Sequence, residues 1–457
     1  MPCINVVRWA LQACSAPGTR SPGFRGDADA NTIQPISIST VERSAMDLIA
    51  DRGRRVAIEE LNTTRLLAHA RKQAQQRKLD DILIVDVDAH HYENESLDEF
   101  LPFMENDVLR QLTLGGRAKG RGSVIPTVAV GFQEMGGRIT RYSMRSSEKT
   151  APGKLRDVEL GHRWMDAMSV DYSCLFPTLM LAVGLHPDAE MEVELCWAYN
   201  RWLTEKALPE GGGRFYSMLT LPLSDPDAAL RQIETFGTRK YVTGFMITCV
   251  RSLAVHHNAH MKIYRALEER GLALAFHSAI NPGEPVFKNL NRFASVHALG
   301  FPFYNILHMT NWVTNGLGER FPKLPVIWIE GGLAWVPFLM QRLDHEYMLR
   351  SSEYPLLKKK PSDYMRAMYY ASQPMEAENM RALACTFEMI NAETQLLYAS
   401  DYPHWDFDLP SRVWDLPFLS EKAKHNILGG TAARLFKLPP RSEQQRANLE
   451  RFGAVAA

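Results

Sequence analysis

The segment DILIVDVDAHH, residues 81–91, joins a short apolar run to a dense group of acidic residues and histidines. In a β-strand alternate side chains share a face, so Asp86, Asp88 and His90 point to one side and His91 points to the other. A strand that ends in carboxylates and imidazoles is typical of a site at the mouth of a barrel. A polar loop that happens to contain two histidines is the plainer alternative. The choice depends on whether other strands end in the same way.

Seven further apolar runs follow, and segments with helical character, such as DPDAALRQIETF (225–236), separate several of them. Eight buried strands with intervening helices predict an α/β fold in which a parallel sheet closes into a (β/α)₈ barrel of the TIM type. An open doubly wound sheet is the main competitor, but no GxGxxG sequence follows the first strand to support it. The seven runs are DYSCLFPT (171–178), FYSMLTLPL (215–223), VTGFMIT (242–248), LALAFHSA (272–279), LPVIWIEGG (324–332), MRAMYYASQP (365–374) and TQLLYASDYP (394–403).

The composition indicates a globular protein that acts on a small molecule. The chain has 457 residues, of which 46% are hydrophobic, and its 52 basic and 52 acidic residues give a formal charge of zero. That balance offers no attraction to nucleic acid or to an anionic membrane surface, so neither is an expected partner. The six cysteines are scattered without a CxxC pair, and the N-terminus lacks a basic start. Both features favour a reduced, cytoplasmic protein.

Residues 1–80 are predicted to form an N-terminal extension. Within it, residues 15–40 are rich in Ser, Gly and Pro, which favours disorder, whereas residues 44–78 have a helical composition without proline. The apolar stripe of this helical part is thin. We therefore expect it to pack on a neighbouring subunit in a homodimer or larger homo-oligomer.

Residues 81–440 are predicted to form the barrel, followed by a tail at 441–457. The stretch 92–168 matches neither a strand nor a helix well and carries two Gly- and Arg-rich segments. It is interpreted as a long insertion after the first strand that covers the barrel mouth. A flexible surface loop is the alternative, since long loops in compact domains are usually functional or disordered.

The carboxyl ends of several predicted strands carry polar side chains, and barrel enzymes place their reactive groups at these ends. Two imidazoles and several carboxylates at one mouth suit a catalytic divalent metal with an open coordination position, which lowers the pKa of bound water to about 7. Without a cation, carboxylates so close together would repel one another. The candidates are Asp86, Asp88 and His90 after the first strand, His277 after the fifth, Glu330 after the sixth and Asp401 after the eighth.

Several longer segments resemble a known family. DVDAHHYE, MDAMSVDYSCLFPT, LALAFHSA, ERFPKLPVIWIEGGLAWVPFLMQRLD, YASDYPHWDFD and ILGGTAARLF, spread over about residues 82–437, are similar to the amidohydrolase superfamily. The similarity is to the amidohydrolase-2 group related to aminocarboxymuconate semialdehyde decarboxylase. The resemblance implies a barrel with one divalent metal ion, zinc, manganese or iron. The implied ligands are Asp88, His90, His277 and Asp401.

The chain departs from the family pattern at two positions. Asp88 stands where a histidine is the more common first ligand, which makes the site richer in oxygen and suited to manganese as well as zinc. Glu330 stands after the sixth strand, where most relatives carry a catalytic histidine. We expect Glu330 to act as a general acid or base, to bind the metal, or to accept a hydrogen bond from substrate.

Four residues near the predicted mouth are further candidates. His404, three residues after Asp401, is a candidate catalytic group, with contact to substrate as its expected role. Trp405 and Trp335 are candidate substrate-binding residues, although packing is the plainer role of a tryptophan. Arg141, in the segment 92–168, could bind a substrate carboxylate, with a solvated loop position as the alternative.

Three functions are compatible with these residues, and metal-dependent hydrolysis is the first. Metal-activated water would attack an amide, ester or lactone carbonyl of a small, aromatic or carboxylated substrate, with Asp401 as proton acceptor. The alternative is non-oxidative decarboxylation of a hydroxybenzoate-like acid, which Asp88 favours and which an ionised Glu330 opposes by repulsion. The third is a catalytically silent ligand-binding barrel, which would purify without stoichiometric metal.

Overall fold

Eight short strands, built from the apolar runs, form one parallel sheet in the order β1 to β8. The computed structural model describes residues 63–91, 97–118, 150–250, 253–281, 283–404 and 406–452. Each strand pairs in parallel with the next, which confirms the predicted (β/α)₈ architecture. The strands are Val85–His90 (β1), Tyr172–Phe176 (β2), Phe215–Thr220 (β3), Val242–Ile247 (β4), Ala273–His277 (β5), Val326–Ile329 (β6), Tyr369–Ala371 (β7) and Leu396–Leu397 (β8).

Main-chain hydrogen bonds between β1 and the segment after β8 close the barrel. The amide of Val87 donates to the carbonyl of Tyr398 at 2.9 Å, and the amide of Asp401 donates to the carbonyl of Asp88 at 2.7 Å. The second bond fixes two of the predicted site residues side by side. Closure of the sheet therefore also assembles one half of the site.

Helices cover the outside of the barrel between the strands. None of those in the described ranges is both long and apolar enough to span a bilayer. The α-helices are Thr63–Gln76 (α1), Leu97–Phe100 (α2), Asp107–Ala118 (α3), Arg156–Met168 (α4), Ala189–Trp202 (α5), Leu208–Glu210 (α6), Pro226–Phe236 (α7), Met261–Arg270 (α8), Phe293–Thr314 (α9), Leu317–Arg320 (α10), Trp335–Arg350 (α11), Pro361–Met365 (α12), Met380–Met389 (α13), Ala392–Gln395 (α14), Ser411–Trp414 (α15), Glu421–His425 (α16), Thr431–Phe436 (α17) and Glu443–Arg451 (α18). The 3₁₀ and π turns are Leu79–Asp81, Leu101–Phe103, Leu179–Leu185, Leu203–Ala207, Asn258–His260, Pro285–Asn289, Ser351–Glu353 and Asn426–Gly430.

Alternating strand residues divide the core into two layers. One buried cluster contains strand residues such as Val87, Ala275 and Ile327. Their neighbours in the strands, such as Phe276 and Trp328, belong to a second cluster together with the helices. The first cluster fills the barrel and the second packs the helices on it, as the two-residue period of a strand requires.

Helix α1 packs on the barrel of its own chain. Ala70 and Ala74 are almost fully buried, and the Arg71 guanidinium donates to Asp80 at 2.8 Å and to Ser169 at 3.1 Å. The helical prediction for 44–78 is thus confirmed over residues 63–76, and residues 41–62 lie outside the described part. Because the described part is covered by its own chain, it does not need a neighbouring subunit. Homo-oligomerisation stays a prediction.

The placement of 92–168 over the barrel mouth stays a prediction, but the parts of this stretch that the structure describes contain regular helices. Helix α4 occupies Arg156–Met168, the usual place of a barrel helix between β1 and β2. Its residues Val158, Trp164, Met165 and Met168 are buried. Their spacing follows a helical period that the Gly- and Arg-rich segments upstream concealed. Residues 97–118 are also mostly helical, and residues 119–149 lie outside the described ranges.

The C-terminal segment ILGGTAARLF is helical and approaches β1 closely. Gly429 lies in the π turn Asn426–Gly430 just before α17. A Cβ atom at Gly429 would lie 2.1 Å from the carbonyl oxygen of Leu83, a main-chain atom that cannot move away without shifting β1. Glycine is therefore needed at this position for the helix to lie against the strand.

We expect Gly429→Ala to destabilise the protein by about 1–3 kcal/mol, the usual cost of overpacking a buried contact. Gly115→Ala is the matched control, because Gly115 lies in α3 and a Cβ there would meet nothing within 4 Å. Alanine should stabilise that helix by roughly 0.5–1 kcal/mol. Urea unfolding of both variants measures the two shifts. Equal changes in the two variants would contradict the close approach at Gly429.

Candidate metal centre

Four predicted ligands converge at the carboxyl ends of β1, β5 and β8. Asp88, His90, His277 and Asp401 are all almost completely buried. The Nε2 atom of His90 lies 3.2 Å from Asp88 Oδ1 and 3.3 Å from Asp401 Oδ1, and His277 Nε2 lies 3.3 Å from Asp88 Oδ1. Among the described residues, two groups have ligand atoms close enough to hold one metal ion: Asp88, His90 and His277, and His90, Asp401 and His404.

Both imidazoles of the predicted ligand set direct Nε2 to this space and have Nδ1 fixed by a carbonyl. The Nδ1 atom of His90 lies 2.7 Å from the carbonyl oxygen of Pro177, and that of His277 lies 2.8 Å from the carbonyl oxygen of Ser278. A carbonyl only accepts, so Nδ1 carries the proton in each ring and a neutral ring leaves Nε2 bare. Burial lowers the pKa of His90 to about 3, which keeps this ring neutral. His90 Nε2 therefore has the form that binds a metal ion. Burial is outweighed at His277, where the carboxylates of Asp88 and Glu330 raise the pKa, so His277 Nε2 shares a proton with Asp88 until a cation replaces that proton.

The convergent atoms have the features of a cation site. Asp88 Oδ2, His90 Nε2 and Asp401 Oδ2 are buried and have no hydrogen-bond partner. Burial, together with the carboxylates of Glu330 and Asp88, raises the pKa of Asp401 well above its usual range, although His404 opposes the shift. Buried acceptors that face one another are costly unless a cation lies between them. Two carboxylates and two imidazoles suit a divalent ion such as manganese or zinc.

Asp86 lies before a register shift in the pairing of β1 with β2, so it does not share a face with His90 as predicted, and it has a different function. Its carboxylate accepts hydrogen bonds from the Ser400 amide at 2.9 Å, the Ser400 hydroxyl at 2.5 Å and the Asp88 amide at 3.1 Å. Burial raises the pKa of Asp86 to about 7. Since these three donors occupy its oxygens, Asp86 ties β1 to the segment after β8 and holds Asp88 beside Asp401.

Glu330 lies beside the centre, directly after β6. Its Oε2 atom is 3.4 Å from His277 Nδ1 and its Oε1 atom is 3.6 Å from His404 Nδ1, while burial raises its pKa. Glu330 and Asp401 have φ angles of 58° and 59°, in the left-handed region. For a residue other than glycine this costs about 1–3 kcal/mol and is typical of functional sites. The structure thus places Glu330 beside His277 and His404, and its role toward substrate or metal stays a prediction.

His404 completes the group on the side of Asp401. Its ring stacks on that of His90, with centroids 4.1 Å apart and planes inclined by 30°. Its Nδ1 atom lies 2.7 Å from Asp401 Oδ1. The sequence reasoning gave His404 only a contact with substrate, but the structure pairs it with a predicted metal ligand.

Trp335 lies outside this group. Trp335 packs edge-to-face on Trp328 in the outer core and donates its indole N–H to the carbonyl of Gly332 at 2.9 Å. The ring of Trp335 thus packs α11 on β6, and its contact with substrate stays a prediction. Trp405 and Arg141 lie outside the described residues.

Two contacts were missed by the sequence reasoning. His91 points away from the centre, as the alternation predicts, and binds the Tyr199 hydroxyl at 2.7 Å. The segment Pro177–Thr178, directly after β2, reaches the centre instead, since the Pro177 carbonyl holds His90 and the Thr178 hydroxyl lies 3.2 Å from His404 Nε2. The position of Pro177–Thr178 at the end of a predicted strand was the only sequence feature that could have indicated these contacts.

A family model described as amidohydrolase matches residues 150–438. Gamma-resorcylate decarboxylase from Rhizobium radiobacter is 24% identical over 308 residues, which cover 62% of this chain and 91% of that protein. The crystal structure of 5-carboxyvanillate decarboxylase from Sphingomonas paucimobilis has a TM-score of 0.58 and 22% identity, covering 78% of this chain and all of the other.

A second solved structure carries ligands. The 5-carboxyvanillate decarboxylase of Novosphingobium aromaticivorans, complexed with manganese and 4-hydroxy-3-methoxy-5-nitrobenzoic acid, has a TM-score of 0.56 and 20% identity, covering 79% of this chain and 97% of the other. At these identities the two structural likenesses establish a shared fold.

We expect Asp88→Asn to weaken manganese binding, because the amide offers no negative charge to the ion. Thermal and urea unfolding with and without MnCl₂ measure this. Wild type should gain about 2.7 kcal/mol at 100 times the dissociation constant, and Asp88→Asn should gain far less at the same concentration. His91→Gln, next to the site but pointing away from it, is the control and should keep the full gain. A full manganese gain in Asp88→Asn would show that Asp88 is not a ligand.

Proposed function

We propose that this chain, which belongs to the amidohydrolase family, is a metal-dependent carboxy-lyase that decarboxylates a hydroxybenzoate-like acid without oxidation. One observation carries the proposal: two buried carboxylates and two buried imidazoles converge at the barrel mouth, and the first position of this set is the carboxylate of Asp88. The decarboxylase relatives support the same reaction class. We infer that Asp88, His90, His277 and Asp401 hold one divalent metal ion.

Decarboxylation thus replaces hydrolysis as the preferred reaction. The sequence alone favoured hydrolysis because of Glu330. The objection was that an ionised Glu330 would repel the substrate carboxylate. Glu330 lies within 3.6 Å of the Nδ1 atoms of both His277 and His404, so its charge is compensated inside the protein. With that objection weakened, Asp88 and the relatives favour decarboxylation.

The reaction needs one proton and no oxidant. The bond between the ring carbon and the carboxyl carbon breaks, its electron pair stays on the ring carbon, that carbon takes a proton, and CO₂ leaves. A divalent metal, when bound, would hold the acid's oxygens and stabilise their negative charge. The chain itself must supply the proton at the ring carbon and keep the acid oriented while the bond breaks.

Two acidic groups are placed for this proton transfer. Asp401 lies 2.7 Å from His404 Nδ1, and the stacking of His404 on His90 holds that ring in one plane. Glu330 approaches the same Nδ1 atom from the end of β6, and its Oε2 has no hydrogen-bond partner. We assign proton delivery to Asp401 with His404, and a hydrogen bond to the substrate to Glu330.

The reaction class is tested directly with a panel of substrates. Full-length protein loaded with manganese, and separately with zinc, is incubated with hydroxybenzoates and with aryl amides, esters and lactones. We expect CO₂ release from at least one hydroxybenzoate and no release of amine or alcohol from the other compounds. Hydrolysis without CO₂ release would restore the first hypothesis, and inactivity together with an absence of bound metal would favour a silent barrel.

Two substitutions test the roles of the carboxylates. Asp401→Asn should abolish turnover and weaken metal binding, because it removes both the proton carrier and a ligand charge. Glu330→Gln should keep the metal content and lower kcat roughly 100-fold, the usual scale for one acid–base group. Glu192→Gln removes a carboxylate that is equally buried in α5, outside the site, and should keep wild-type kcat. Full activity in Glu330→Gln would show that Glu330 is structural.

A further inference from the structure

Thr178 contacts two of the histidine-bearing segments from the end of β2. Its hydroxyl oxygen lies 2.8 Å from the carbonyl oxygen of His91 and 3.2 Å from Nε2 of His404. The preceding carbonyl, that of Pro177, holds Nδ1 of His90 at 2.7 Å. Two adjacent residues therefore bind the two imidazoles that stack on each other.

The hydrogen-bond pattern fixes where the protons of His404 lie. A carbonyl oxygen only accepts, so the single hydroxyl proton of Thr178 is donated to His91. Towards His404 the hydroxyl oxygen can then only accept, which places a proton on Nε2. On the other side of the ring, one proton must lie between Nδ1 and Asp401 Oδ1, because two lone pairs would repel one another at 2.7 Å.

We propose that Thr178 is a positioning residue for proton transfer at this site, acting through His404. By accepting the Nε2 proton, it holds the ring with Nδ1 directed at Asp401, so that the shared proton stays on the line between these two groups. The inference rests on the proposed function, since decarboxylation consumes one proton at the ring carbon in each turnover. The Asp401–His404 pair supplies that proton, and it is replaced from solvent after CO₂ leaves.

The position of His404 in the chain explains why its ring needs a fixed hydrogen-bond partner. The family resemblance leads one to expect a histidine after the sixth strand, where this chain has Glu330. His404 lies three residues beyond Asp401, in a turn closed by its own amide donating to the Asp401 carbonyl at 2.8 Å. The ring is attached to a loop instead of a strand, so it needs a fixed partner. Thr178 on its edge and His90 on its face supply that support.

Thr178→Val keeps the shape of the side chain and removes the acceptor. We expect kcat to fall about 10- to 100-fold, the usual effect of removing a group that orients a functional histidine, with unchanged manganese content and little change in KM. Thr178→Ser keeps the hydroxyl and should restore kcat. Thr248→Val is the control, because the hydroxyl of Thr248 also donates to a carbonyl, that of Leu181 at 2.6 Å. The imidazole of His308 binds the main-chain carbonyl of Thr248, which the substitution keeps.

The solvent isotope effect on kcat separates positioning from general damage. If Thr178 positions the proton, proton transfer becomes slower in Thr178→Val and the isotope effect on kcat rises. Loss of folded protein would instead lower the amount of active enzyme and leave the isotope effect unchanged. Wild-type kcat in Thr178→Val, or equal losses in Thr178→Val and Thr178→Ser, would overturn the inference and leave the proposed function intact.

A second measurement does not depend on activity. In metal-free, ¹⁵N-histidine-labelled protein, the spectrum of wild type should show a protected Nε2–H signal that is missing in His404→Gln. This signal should persist in Thr178→Ser and be lost or exchange-broadened in Thr178→Val. Absence of the signal in wild type would overturn the inference, whereas its presence in a protein that releases no CO₂ would refute only the proposed function.

Discussion

The convergence of four buried acceptors is the constraint on which the rest of the barrel mouth depends. The side chains of Asp88, His90, His277 and Asp401 bring carboxylate oxygens and imidazole nitrogens within 3.2–3.3 Å of one another. Such an arrangement is unfavourable unless a cation balances it. Fixed donors and acceptors around the four residues keep the lone pairs in place. These supports turn an unfavourable cluster into a preformed metal site, because they fix the geometry before any ion binds.

The supports come from four different strands. Carbonyls after β2 and β5 fix the tautomers of His90 and His277. Asp86 in β1 ties its strand to Ser400 after β8, and the Asp401 amide bonds to the carbonyl of Asp88. Because the sheet closes at this point, the hydrogen bonds that complete the barrel also set the distance between the two carboxylates. Fold and site are therefore stabilised by the same contacts, and a change that opens the barrel should also disperse the ligands.

The eight strands and the four convergent residues were predictable from the sequence, since parallel strands end at one edge and alternate side chains share a face. The separate function of Asp86 was not predictable, because its pattern in β1 is the same as that of Asp88. Only the contact with Ser400, more than 300 residues away in the chain, distinguishes them. The side-chain contacts of Trp335 and Thr178 were not predictable from the sequence either. A position near a strand end does not reveal which way a loop or the first turn of a helix directs its side chain.

The replacement of a strand-borne histidine by Glu330 and His404 changes how the site is built. A histidine at the end of β6 would be held by the barrel itself, whereas His404 lies in a loop and is held by a turn, a stacked ring and a hydroxyl. Glu330 then occupies the strand end with a left-handed backbone, close to both His277 and His404. A carboxylate and an imidazole thus share the place that one imidazole fills in the family pattern. The pair can hold a proton near Asp401 while keeping the local charge balanced, a combination that suits a reaction in which an anionic acid must accept a proton before CO₂ leaves.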